Sequence, residues 1–146
     1  MSTEPLYRLI YLSSAKVAFP PDKIEDLLTK ARTRNEADGI SGLLVYHDGN
    51  FFQVLEGPET AVKATFERIS RDTEHDGMLM LHSEIVLDRV FPDWTMGYAR
   101  PEELSKEAAN TVVEVKTMAE LGADTIRDDA RVDRLLERFL ASFRAL

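Results

Sequence analysis

The feature that most constrains this chain is Asp48-Gly49, set between two apolar runs, Ile40 to Tyr46 and Phe51 to Glu56. Glycine tolerates the positive φ of a tight turn, so His47-Asp48-Gly49-Asn50 predicts a β-hairpin. The first run is nearly continuous in apolar residues, which fits a buried strand. Side chains alternate along a strand, so Phe51, Gln53 and Leu55 share one face of the hairpin's second strand.

The elements on either side follow from the same kind of patterning. Tyr7 to Leu12 is dense in β-forming residues and reads as a first strand, with Tyr7, Leu9 and Tyr11 on one face and Arg8, Ile10 and Leu12 on the other. Pro20-Pro21 breaks it. Pro21 suits a first helical turn, and Ile24, Leu27, Leu28 and Ala31 follow at helical spacing towards an end near Asn35, with Asp38-Gly39 as the turn. After Gly57-Pro58 a second helix is expected from Glu59 to Asp72, with Val62, Phe66 and Ile69 on one stripe. Met78 to Leu87 and Phe91 to Tyr98 read as strands, the second interrupted by Pro92. Beyond Pro101, Glu102 to Glu120 and Thr125 to Ala145 read as helices, separated by Leu121-Gly122-Ala123. Val132, Leu135, Leu136, Phe139 and Phe143 form an apolar stripe on the last of them.

This order predicts an α+β fold, a ferredoxin-like βαββαβ sandwich with an extra strand and a five-stranded sheet. Right-handed crossovers put the strand after the hairpin unit beside the first strand. Two crossover helices then cover one sheet face and two C-terminal helices the other. Residues 1–100 are expected to form the main domain, with 101–146 as a helical cap packed on it.

Composition removes several classes of function. A chain of 146 residues can bury a core as one domain, and it carries no cysteine, which excludes disulfide scaffolds, thiolate metal sites and cysteine nucleophiles. Its formal net charge of −8, with no basic run, argues against direct nucleic-acid binding, which depends on cations neutralising phosphates. No apolar stretch approaches the roughly 20 residues that span a bilayer, and Met1 to Pro5 show no signal pattern. The chain is therefore expected to be cytoplasmic. His47, His75 and His82 lack zinc-type spacing, so no metal is assigned. Gly39-Ile40-Ser41-Gly42 leads into an apolar strand with no basic residue after it, unlike a nucleic-acid GXXG loop. No G-x-G-x-x-G or P-loop is present.

Taken singly, the polar candidates have ordinary explanations. Gln53 lies mid-strand among apolar residues. If the first and third strands are neighbours, it meets Tyr11, which would satisfy its amide, as backbone groups also could. Asn35 reads as a C-cap or turn residue, and Arg34, Arg68, Asp72 and His75 as solvated surface. Arg68 and Asp72 stand at the i,i+4 spacing of an ion pair. Leu27, Ile69, Trp94 and Met96 read as core, the last two by alternation on one strand face, with either able to sit beside Gln53 and the other outside.

Together, however, Leu6-Tyr7-Arg8-Leu9-Ile10-Tyr11, Arg34-Asn35, Asp38-Gly39-Ile40-Ser41-Gly42-Leu43-Leu44 and Phe52-Gln53-Val54-Leu55-Glu56-Gly57 form an ordered set. Arg68-Ile69, Asp72, His75 and Phe91-Pro92-Asp93-Trp94-Thr95-Met96-Gly97 continue it. The set, over about residues 5–98, resembles the BLUF family of blue-light sensors using flavin, in its short single-domain type. The residue before the asparagine, Arg34 here, is one that varies within the family.

The resemblance implies a non-enzymatic photoreceptor that binds FAD, with FMN or riboflavin as alternatives. Tyr11 would donate an electron and a proton to the photoexcited flavin. The Gln53 amide would rearrange between Tyr11 and the flavin N5 and C4 carbonyl. Asn35 would bond the ring's polar edge, and Leu27 and Ile69 would sandwich it. Arg34, Arg68, Asp72 and His75 would lie along the polar edge and phosphate-bearing tail, and Trp94 and Met96 on a relaying strand. The short members act through a separate protein partner, and a homodimer or higher oligomer is expected. The readings from other classes are an acylphosphatase-like hydrolase and a ligand-free oligomerisation module on the same fold.

Overall fold

The computed structural model describes residues 4–126 and 129–144. Five strands and four α-helices occur in the order β1 (Leu6–Ala15), α1 (Pro21–Asp38), β2 (Ser41–His47), β3 (Asn50–Pro58), α2 (Glu59–Ser70), β4 (His75–Val86), β5 (Gly97–Ala99), α3 (Lys106–Ile126) and α4 (Ala130–Arg144). The sheet order is β4-β1-β3-β2-β5. The first four strands pair antiparallel, and β5 joins β2 in parallel. This is the expected ferredoxin-like sandwich with one added strand.

The hairpin forms as its sequence demands. Asp48 and Gly49 have φ of 47° and 77°, the paired positive values of the tight turn that matches strand twist. Gly39 ends α1 with φ 72°, and its N–H donates to the Asn35 carbonyl, a left-handed helix ending. Gly42 is required by close approach, because a Cβ there would lie 1.9 Å from the Val54 carbonyl oxygen. Both glycines of the G-x-x-G segment thus have structural causes.

Alternation divides the core between the two sheet faces. Tyr7, Leu9, Tyr11, Phe51 and Leu55 pack under α1 and α2 with Ile24, Leu28 and Val62. Ile10, Leu12, Phe52 and Val54 face the other way, against Val112 and Val115 of α3 and Val132, Leu136, Phe139 and Leu140 of α4. Leu135 and Phe143 pack on the edge of that second cluster.

The C-terminal part differs from expectation in three places. The segment from Phe91 is not a strand until Gly97, and only Gly97–Ala99 pairs with β2. Pro92 has no N–H for a ladder, and the Trp94 carbonyl is taken by the Gly42 N–H at 2.9 Å. The first cap helix begins at Lys106 rather than Glu102, after a 3-10 turn over Pro101–Glu103. Ser105 supplies its start, its Oγ accepting from the Ala108 N–H at 3.1 Å. Third, α3 runs through Leu121-Gly122-Ala123 without a break. One interior glycine costs a helix only about 1 kcal/mol, and packing of Val112 and Val115 against the sheet outweighs it. Ala145, the expected end of the last helix, lies outside the described residues.

Candidate functional site

A cleft of about 300 Å³ opens between α1 and α2, above the sheet. That is near the lower end of the roughly 300–1,000 Å³ usual for small-molecule sites. Its floor is Tyr11, Leu44, Phe51, Gln53 and Leu55, and Met96 closes one end. Leu27 and Ala31 of α1 face Thr65 and Ile69 of α2 across it. The walls are aliphatic because both helices carry their apolar stripes towards the sheet. The rim carries charges of both signs, including Lys30, Arg34, Arg68 and Asp72.

The floor carries the distinctive chemistry. Tyr11 and Gln53 are directly opposite in the β1–β3 register. The Tyr11 hydroxyl donates to Gln53 Oε1, and both residues are buried. Burial pushes the Tyr11 pKa well above its ordinary value near 10, because the anion would lose its hydration. The phenol therefore stays neutral and keeps its proton. Its ring packs edge-on against Phe66 at 5.4 Å. The other end of the Gln53 amide points at Met96, with Nε2 3.4 Å from Sδ. A thioether is a weak acceptor, so this donor is poorly satisfied.

Segment 94–96 is held by its backbone. Three consecutive carbonyls accept hydrogen bonds, Trp94 from the Gly42 N–H at 2.9 Å, Thr95 from Asn35 Nδ2 at 2.6 Å, and Met96 from Arg32 Nε at 2.9 Å. Asn35 thus acts twice. Its own carbonyl receives the end of α1, and its buried side chain anchors the segment that presents Met96 to Gln53.

Tyr11, Leu27, Arg34, Asn35, Gln53, Arg68, Ile69, Asp72 and Met96 all line the cleft. Trp94 does not, and it does not share a face with Met96. It is 44% exposed, and its ring stacks on Phe91 at 5.6 Å and meets Phe143 of α4 at 6.5 Å. The chain around it is an irregular turn, so strand alternation does not apply. Arg68 and Asp72 form no ion pair among the described residues. Asp72 Oδ1 instead accepts from the Glu74 N–H at 2.8 Å. His75 opens β4 opposite Ala15, and its side chain is outside the described residues.

Several lining residues escaped the sequence reading, including Thr65 and Lys30, while Phe51 was placed on the Gln53 face without a role at the site. Thr65 carries the clearest signal. Its Oγ1 is buried and has no hydrogen-bond partner among the described residues. An unpartnered buried hydroxyl costs about 1–3 kcal/mol, so its place on a cleft wall points to a ligand.

The residues fit a flavin on these observations. A flat apolar ring with one polar rim matches aliphatic walls, an under-satisfied amide, a free hydroxyl and cations at the mouth. Arg8, the arginine a phosphate-binding hydrolase would need, is unsuited to that role. It is buried on the opposite face, with Nε 2.8 Å from Glu56 Oε2.

Comparison with known proteins agrees with the geometry. The sequence profile of BLUF, "Sensors of blue-light using FAD", matches residues 6–97. The chain is similar to the blue light- and temperature-regulated antirepressor BluF of Escherichia coli (strain K12), 37% identical over 76 residues, covering 52% of this chain and 19% of that protein. It is also similar to the photoactivated adenylate cyclase subunit alpha of Euglena gracilis, 31% identical over 109 residues, covering 71% of this chain and 10% of that protein. The chain thus spans about a fifth and a tenth of these relatives' lengths. Among solved structures, BlrB, a BLUF protein in its dark state, superposes with a TM-score of 0.75 at 27% identity, covering 99% of this chain and 100% of that one. The photo-activated state of BlsA gives 0.73 at 28% identity, covering 94% of each.

Proposed function

The chain belongs to the BLUF family, sensors of blue light using FAD, and on that footing we propose that Tyr11 and Gln53 form its light-driven switch. One observation carries this reading: at the floor of the cleft, the Tyr11 hydroxyl donates to the Gln53 carboxamide oxygen. Bound in the cleft, the flavin supplies the absorption of blue light and, once excited, an acceptor for an electron and a proton. Tyr11 is suited to give both together, since burial keeps its proton in place. Gln53 holds an oxygen that accepts and a nitrogen that donates. Loss of the Tyr11 proton would reverse the demand on that oxygen, and the amide can turn because Met96 Sδ holds its other end weakly.

Leu27 and Ile69 are assigned to the two sides of the ring. Asn35 is assigned to its polar edge, and Arg34, Arg68, Asp72 and His75 to the edge and the phosphate-bearing tail. The family and the cleft support FAD as the resident cofactor. Residues 1–100 are proposed as the flavin-binding unit and 101–146 as its cap. Output through a separate protein, a dimeric or larger assembly and a cytoplasmic setting belong to the same proposal. No described helix is long and apolar enough to cross a membrane.

The test is a light-minus-dark absorption spectrum of the purified protein. It should be yellow, with a reversible red shift of the flavin band after blue light. Tyr11→Phe keeps the ring's volume, so the variant should bind flavin and lose the shift. An unchanged shift in that variant removes Tyr11 from the mechanism.

A further inference from the structure

Threonines inside helices can satisfy their hydroxyl by bonding the carbonyl one turn earlier. This chain does so repeatedly. Thr29 bonds the Glu25 carbonyl, Thr33 that of Thr29, Thr111 that of Glu107 and Thr117 that of Val113, each at 3.0 Å. These include exposed positions, where water could have served. Thr65 on α2 is buried, where the need is greater, yet its hydroxyl makes no such bond and none other among the described residues. It lines the cleft one turn before Ile69, and its neighbour Phe66 packs against the Tyr11 ring.

We propose that Thr65 is a flavin-binding residue, its hydroxyl hydrogen-bonding a polar atom of the cofactor from the α2 wall. This rests on the flavin reading above and adds a residue that neither the motif set nor apolar patterning singles out. The physical logic is pre-organisation. The hydroxyl is desolvated and has no partner among the described residues, and its residue lines the cleft, so bonding a ligand would require no further loss of water or of an internal bond.

The assignment predicts different effects on the empty and the loaded protein. Thr65→Val keeps the shape and deletes the hydroxyl. Without flavin, the variant should melt no lower than wild type, because nothing satisfied has been removed. With FAD, its dissociation constant should rise about tenfold, the loss of one neutral hydrogen bond with a desolvated partner. Thr65→Ser restores the hydroxyl and should bind within about threefold of wild type. Thr65→Ala serves as a second hydroxyl-free variant should valine disturb α2. The measurements are FAD dissociation constants from flavin fluorescence on dilution, and melting temperatures with and without excess FAD. Wild-type affinity in both the valine and alanine variants overturns the proposal. So does equal weakening in the serine variant, which would assign the effect to packing. Wild-type protein that takes up no flavin would instead remove the function on which the proposal rests.

Discussion

The two faces of the sheet both carry buried polar side chains, and they treat them differently. On the face under α3 and α4, Glu56 accepts from Arg8 Nε at 2.8 Å and from the backbone N–H groups of Val90 and Phe91 at 3.0 and 2.8 Å. Arg8 also reaches Glu84 Oε1 at 3.0 Å and the Asp88 carbonyl at 3.2 Å. Each charge there is met by several partners. On the face under α1 and α2, Gln53 Nε2 has a sulfur for a partner and Thr65 Oγ1 has none among the described residues. The same strands supply both sets, Arg8 and Tyr11 from β1, Glu56 and Gln53 from β3. A completed network marks the face that holds the fold together. An incomplete one marks the face that awaits a ligand.

The contrast breaks most visibly at Arg8. Replacing it with leucine strands the Glu56 carboxylate in the interior, and removing one member of a buried pair typically costs about 3–5 kcal/mol. Arg8→Leu should therefore lose much of the protein's stability in a urea melt, and a loss below about 1 kcal/mol would show that the backbone N–H groups suffice for Glu56.

A pH titration sharpens the other side. The pKa of Tyr11 is raised in the folded protein, so the unfolded chain releases this proton first as pH climbs past about 10. The stabilisation is complete below that value and is lost above it. The Tyr11 contribution should fall by about 1.4 kcal/mol per pH unit. Subtracting the stability profile of Tyr11→Phe from that of wild type isolates it, since the other titrating groups are common to both. Coincident slopes above pH 10 would mean that the phenol is not held neutral by the fold.

The smallest expected change comes from removing both members of the near-face pair. Tyr11→Phe with Gln53→Leu replaces a hydrogen-bonded couple by apolar groups of similar shape, which is often close to neutral. The double variant should keep its stability within about 1 kcal/mol of wild type and still lose all light response. A collapse of stability would place the pair among the elements that hold the fold, beside Arg8 and Glu56.

The strands and their faces were legible because they depend on local chemistry. Asp48-Gly49 specifies its turn, and alternation with β1 placed beside β3 puts Tyr11 and Gln53 on one face. The resemblance selected nine residues that the structure brings to one cleft. What escaped depends on tertiary contacts. Phe91 to Tyr98 is rich in strand-forming types, and nothing local reveals that its carbonyls are claimed by Gly42, Asn35 and Arg32. Strand alternation put Trp94 and Met96 on one face, and that failed with the strand; which of them stands beside Gln53 was open, and it is Met96. Thr65 was invisible for another reason. Which way a helical threonine turns its hydroxyl is a rotamer choice, and sequence spacing does not record it.

The turn that places Trp94 and Met96 apart also makes them two arms of one short lever. Met96 reaches the Gln53 amide on one side of the sheet, while Trp94 lies against Phe91 and Phe143 on the other. The fulcrum is narrow, since a Cβ on Gly97 would fall 2.4 Å from the Trp94 ring. The segment 94–97 therefore joins the two sides at the sheet's edge, with Met96 against Gln53 on one and the indole against Phe143 of α4 on the other.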